Sequence, residues 1–230
     1  MTVLSRREQN RIDRERRILD AALKVFAETG YSGATMDAVA MAAGLSKPTL
    51  YQYFASKEAL FSAMMLGKRD RMLDVFEHPT EEGMVNDLLE FAWDYADTVM
   101  RPDLLSLARL IIGEVQRFPE IGRAYQASGP DHVLQGIMAY LVRRRDEGRL
   151  TFEDAELAAQ DLWGLILSAP RTQALYMPDA APTQAQLARY IHNGLRVFLR
   201  AYSTDPQTDL HQLEALTGAR PLPTGEQDDA

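Results

Sequence analysis

Apolar residues recur at helical spacing along almost the whole chain, and no stretch alternates apolar and polar residues between turns. Strands need that period of two, so the core must be built from helices. Ile18, Ala22, Val25 and Phe26 fall at i, i+4, i+7 and i+8, one face of a helix predicted over residues 11–29. Gly30 stops it. Thr35 opens a second, short helix carrying Met36, Val39, Ala40 and Ala43. Its hydroxyl can accept from an orphan amide of the first turn, where the negative charge of Asp37 also suits the helix dipole. Gly44 ends this helix, and Ser46 caps a third. Pro48 stands in the first turn of that third helix, where a missing amide costs little. It carries Leu50, Tyr53 and Phe54. Ser56 caps a fourth helix, expected to run to about Phe76.

Longer helices are predicted beyond His78-Pro79, over about 82–100, 102–117, 120–146, 153–176 and 183–202. Pro102, Pro119, Gly148, Pro178 and Pro182 mark their joints, and Pro170 must kink or end the helix that contains it. Residues 204–230 are polar and bear proline and glycine; only 210–216 suggest a turn or two of helix. The expectation is an all-α chain with a head at 1–72, a larger helical body at 73–203 and a disordered tail at 204–230.

The chain has 230 residues, 46% of them hydrophobic, enough to build a core without staples. It has no cysteine, which removes disulfides, thiolate-bound metals and thiol nucleophiles. Its apolar runs are too short to span a membrane, and MTVLSRREQN lacks the apolar region of a secretory signal, so the cytoplasm is the expected compartment. His78, His132, His192 and His211 are scattered without metal-ligand spacing, and no phosphate loop or nucleophile elbow is present. No enzyme, cofactor or metal is therefore expected. The net charge is −8, yet residues 1–71 hold 12 basic and 8 acidic side chains, against 13 and 25 in the remainder. A basic head on an acidic body suggests two jobs.

Three short helices with a glycine turn before the third make a helix-turn-helix layout. The turn Ala43-Gly44-Leu45-Ser46 must reverse sharply, which glycine permits, and apolar Leu45 can plug the angle between the helices. The third helix presents Ser46, Lys47, Thr49, Tyr51, Gln52 and Tyr53. Hydroxyls, an ammonium and an amide suit a groove lined by phosphates and base edges. Residues 5–17 hold six arginines against three acids, either a solvated helix extension or an arm for phosphates or a minor groove.

The runs Gly30-Tyr31, TMDAVA at 35–40 and AGLSKPTLYQYFASKEAL at 43–60 resemble the DNA-binding domain of the TetR family of transcriptional regulators. The likeness covers about residues 16–61. The stretch LARLIIGEVQRFPE at 107–120 resembles the ligand-binding half of the AefR-like subgroup. The resemblance implies a DNA-binding regulator, most commonly a repressor, released from a palindromic operator by a small apolar or amphipathic ligand. Thr35 and Lys57 would hold phosphates. Lys47, Pro48, Thr49, Tyr51 and Tyr53 would face DNA beside Ser46, with Arg14 and Arg17 in the arm. Gln52 stands where the family often has histidine. Leu50, Phe54, Val39, Ala40, Phe26 and Phe61 read as core.

By the same resemblance, the body is a ligand-binding and dimerisation domain. Its last two helices would pair with their copies through Leu157, Leu162, Leu165, Ile166, Leu187, Ile191, Leu195, Phe198 and Leu199. Trp93, Arg109, Ile111, Tyr125, His132 and Trp163 are candidate ligand contacts. The implied partners are double-stranded DNA, a small-molecule effector and a second copy of the chain. The rivals are an adaptor that has lost DNA binding and an activator of the same fold. Lys47, Thr49, Tyr51, Tyr53 and Lys57 together speak against the adaptor.

Overall fold

A computed structural model of the chain describes residues 5–66 and 73–219. Twelve helices order them: α1 Arg6–Gly33, α2 Met36–Ala42, α3 Lys47–Tyr53, α4 Lys57–Leu66, α5 Asp74–Glu77, α6 Met84–Val99, α7 Pro102–Glu114, α8 Pro119–Ser128, α9 Pro130–Asp146, α10 Ala155–Tyr176, α11 Gln184–Tyr202 and α12 Pro206–Ala219. The sole β pairing among the described residues is an isolated bridge between Leu150 and Ser203.

The first helix starts earlier than the apolar periodicity indicated. Ser5 caps α1 in a reciprocal pair with Glu8, so the arginine-rich segment is a helical extension rather than a loose arm. Gly30 interrupts the helix with φ 73° and ψ 168°, and one more turn follows. The expected fourth helix is shorter: α4 ends at Leu66, residues 67–72 lie outside the described residues, and α5 follows. The single helix expected at 120–146 is two, α8 and α9, divided at Gly129-Pro130. Proline offers no amide and disfavours helical backbone in the residue before it. Helix α10 instead continues through Pro170, which is buried.

The residues form two compact units whose division differs from a cut at residue 72. Of the described residues, one comprises 5–66 and 102–132, the other 73–101 and 133–219. In the first, Ile18, Ala22 and Phe26 of α1 meet Val39, Leu50 and Phe61 in one core, which also holds Leu107 and Ile111 of α7 and Ile121 of α8. All six residues read as core are buried. Tyr31 stacks on Phe26 at 5.7 Å between ring centroids and meets Phe61 and Phe118 edge-on.

In the second unit, α10 and α11 pack along each other. A β-carbon on Gly194 would fall 2.4 Å from the Leu165 carbonyl oxygen, so glycine is what lets the two backbones approach. Leu162, Ile166, Leu187, Ile191, Leu195, Phe198 and Leu199 are buried in this unit's own core. These seven side chains, which the resemblance assigns to a face for a second copy, are instead covered within the unit itself. Leu157 stays 58% exposed and Leu165 half-buried. The fully buried Asp87 carboxylate accepts from the Thr80 amide and hydroxyl and from Tyr140, each at 2.8 Å, and from Arg144 at 3.0 Å.

Part of the expected tail is ordered: α12 buries Leu213, and its Asp209 accepts from Ser203 at 2.6 Å and from Arg149 at 2.8 Å. The rest of that tail, 220–230, lies outside the described residues.

Candidate nucleic-acid interface

The chain between α2 and α3 turns at Gly44, whose φ of 68° is a left-handed conformation that a side chain would oppose. The Leu45 amide donates back to Ala40 at 2.9 Å and that of Gly44 to Met41 at 3.1 Å, closing the end of α2. Leu45 is half-buried against the core, as a plug between helices must be. Each short helix is started by a side chain. Thr35 accepts from the Ala38 amide at 3.1 Å and Ser46 from the Thr49 amide at 3.3 Å. The Ser46 and Thr49 hydroxyls also bond one another at 2.8 Å.

Leu50 and Phe54 anchor α3 inward and are buried, which leaves Ser46, Lys47, Pro48, Tyr51 and Gln52 in solvent. Thr49 and Tyr53 are half-buried, and Tyr53 packs against the core with one side. Tyr51 is 44% exposed although it stands beside a fully buried leucine, so its ring contributes little to packing. The arrangement is a short rod bearing hydroxyls, an amide and an ammonium on its outer face. Such a face can donate to phosphate oxygens and read base edges.

Two charges are disposed otherwise than the residues alone indicated. The Lys47 ammonium pairs with the Asp37 carboxylate at 2.8 Å, and that hydrogen bond raises its proton affinity. Asp37 was read only as a first-turn residue; the pairing spans the turn and has no local spacing to announce it. Lys57 donates to the carbonyl oxygens of Tyr31 at 2.8 Å and Ala34 at 3.2 Å, and sits 4.4 Å above the Tyr31 ring. Its charge closes the end of α1 rather than standing free for a phosphate. Arg14 and Arg17 are exposed on α1. Met41, 80% exposed on α2 one turn before Leu45, is an outward apolar residue that periodicity assigned to nothing.

The six residues offered as ligand contacts are drawn from both units. Arg109, Ile111, Tyr125 and His132 belong to the first unit, where Ile111 is buried in the core and Tyr125 packs against it. Trp93 and Trp163 belong to the second.

A family of bacterial regulatory proteins described as the tetR family matches residues 18–64, and the AefR-like transcriptional repressor C-terminal domain matches residues 86–204. The chain belongs to the TetR family. The first TetR match runs from Ile18 of α1 into α4 and contains the whole exposed face of α3; the second spans α6 to α11 and stops short of α12. The HTH-type transcriptional repressor AcnR of Corynebacterium efficiens is 30% identical over 142 residues, 60% of this chain and 70% of that protein. The HTH-type transcriptional regulator UidR of Escherichia coli is 43% identical over 65 residues, 28% of this chain, which thus spans 33% of that protein's length. Among solved structures, a TetR transcriptional regulator from Agrobacterium tumefaciens superposes with a TM-score of 0.67 at 26% identity, over 86% of this chain and 98% of that one. The flavonoid-responsive regulator FrrA does so at 0.65 and 29%, over 84% and 98%. No helix among the described residues is long and apolar enough to cross a membrane.

Proposed function

We propose that this TetR-family protein is a sequence-specific, DNA-binding transcriptional repressor of the cytoplasm, with no enzymatic activity. It acts as a homodimer on a palindromic operator and leaves it when a small apolar or amphipathic molecule binds the second unit. The observation that carries the reading is the outer face of α3, where Ser46, Lys47, Tyr51 and Gln52 stand in solvent on a helix anchored by Leu50 and Phe54. Lys47 and Thr49 suit base edges, Tyr51, Tyr53 and Thr35 the backbone, and Pro48 the apolar edge of a base. Arg14 and Arg17 add phosphate contacts. Two-fold pairing fits the outer sides of α10 and α11, where Leu157, Tyr190 and Val197 are large apolar residues left exposed. A symmetric pair would set its recognition helices about 34–36 Å apart, one turn of duplex. An effector can shift the operator equilibrium only by its difference in affinity for the two arrangements.

The test is selection from a pool of random duplexes, followed by retardation of the enriched sequence and a reporter placed under it. An inverted repeat that retards the protein and lowers reporter output is the expected result. A raised output makes the protein an activator, and no enrichment removes DNA from its function.

A further inference from the structure

Lys47 is the first residue of α3, and the N-terminal residues of a recognition helix are the ones that meet base edges. Its ammonium bonds both oxygens of the Asp37 carboxylate, Oδ1 at 2.8 Å and Oδ2 at 3.1 Å. The two side chains are 56% and 63% exposed, so the couple stands in solvent and can reach a duplex together. An ion pair so exposed adds little to stability. A carboxylate there also repels phosphates, which works against binding any duplex. Asp37 is therefore a cost to a DNA-reading helix unless the duplex offers it a donor.

The couple keeps the capacity to use one. An ammonium has three donors, of which the two carboxylate oxygens take at most two. A carboxylate has about four lone-pair sites, so both oxygens can still accept. A donor and an acceptor thus stand side by side, 2.8 Å apart. The major-groove edge of a G·C pair offers the converse, since guanine O6 accepts and cytosine N4 donates. Those two atoms are bonded to each other within the pair at about 2.9 Å. The spacings match, and guanine N7 gives the ammonium a second acceptor beside O6.

The other pairs fit less well. A T·A pair also sets an acceptor beside a donor, but it puts the thymine methyl where guanine has N7. In C·G and A·T the order is reversed, so the ammonium faces a donor and the carboxylate an acceptor.

The geometry points to Asp37 as a specificity-determining residue: with Lys47 it reads one G·C pair in each half of the operator, the ammonium on guanine O6 and N7 and the carboxylate on cytosine N4. This rests on the reading of α3 as the helix that enters the groove. It adds to that reading one base pair of the operator and a residue of α2 that selects it. On any other pair the carboxylate is an unmatched charge among phosphates, and that repulsion discriminates against wrong sequences.

The test is competition binding of the full chain to the selected operator and to versions of it changed at a single base pair. At one position in each half, any pair other than G·C should cost the parent protein about tenfold or more. Asp37→Ala should bring that cost to within about threefold and leave the costs at other positions within about twofold of the parent's. Lys47→Met should relax the same position. Asp37→Asn keeps an oxygen that can accept from N4 and should retain part of the preference. Loss of the carboxylate also frees Lys47 for phosphates, so the readout is the pattern across positions and not the overall affinity. Thermal melts confirm that each variant is folded. The inference is overturned if Asp37→Ala keeps the parent's pattern, lowers every cost evenly, or relaxes a position that does not prefer G·C or that Lys47→Met leaves unchanged. A parent protein that selects an operator while its variants keep the same pattern loses this inference alone; one that selects no duplex loses the DNA reading as well.

Discussion

The ammonium of Lys57 donates to the main-chain oxygen of Tyr31 at 2.8 Å and lies over the ring of the same residue. One side chain at the start of α4 thereby closes the broken end of α1, beside the Gly30 interruption. Cations are favoured where helix carbonyls lack partners. The stability of the head thus draws on Lys57, whereas the lysine on the outer face of α3 is Lys47.

Lys57→Met should therefore lower the stability of the protein by about 1–2 kcal/mol, the range of hydrogen bonds from a charged donor at a partly exposed site. Chemical denaturation followed by circular dichroism measures it. An unchanged midpoint with lost DNA affinity would return Lys57 to the phosphate contacts.

Asp37 occupies Lys47 in the free protein. Asp37→Asn should release that ammonium and remove a negative charge from the face of α3. Duplex affinity should then rise at low salt, and its dependence on log salt should steepen by about 0.9 for each added phosphate contact. Fluorescence anisotropy over a salt series reads both; a slope and affinity equal to the parent's would show that Lys47 stays clear of DNA.

Asp87→Ala removes the acceptor for Tyr140 and Arg144 while leaving both donors in place. Truncating one partner of a buried charge pair typically costs about 3–5 kcal/mol. Urea unfolding should show a loss of that size, and a loss below about 1 kcal/mol would mean that the pair is solvated in solution.

His192 lies half-buried in a groove between α11 and α12 with Arg189, Arg196 and Glu214, and burial lowers its pKa below the ordinary 6.5. The unfolded chain then takes up the proton first. Stability is fully present above about pH 6.5 and falls as pH drops from there toward the lowered native value. Melting temperatures between pH 8 and pH 5 should decline along that limb, and His192→Gln should flatten it. An equal decline in the variant would assign the limb to carboxylates.

The head was largely legible in the residues. Apolar spacing and the caps Thr35 and Ser46 are local signals, and Gly44 and Leu45 took the places the turn required of them. What escaped was tertiary. Leu107 and Ile111 have the same spacing whether their helix joins the body or, as it does, the core of the first unit. Of the residues of α10 and α11 offered for a dimer face, all but Leu157 and Leu165 are buried in the unit's own core, and periodicity cannot name the partner of a face. Helix α12 was obscured by its polar composition; Leu213, with Leu210 and Leu216 packed beside it, and the Asp209 pairings hold it. The candidate ligand residues were drawn from two units because aromatic character alone does not distinguish the wall of a groove from a core.

Tyr51 decides whether α3 is a rod that lies on DNA. Binding of the selected operator should be measured over a salt series for the parent protein and for Tyr51→Ala. A dimer using about eight phosphate contacts should give a slope of log affinity against log salt near −7. Tyr51→Ala should weaken binding by about 1–3 kcal/mol with its melting temperature nearly unchanged. A variant that loses stability instead, or a parent protein with no salt-dependent affinity for any duplex, would contradict the assignment of this face to DNA.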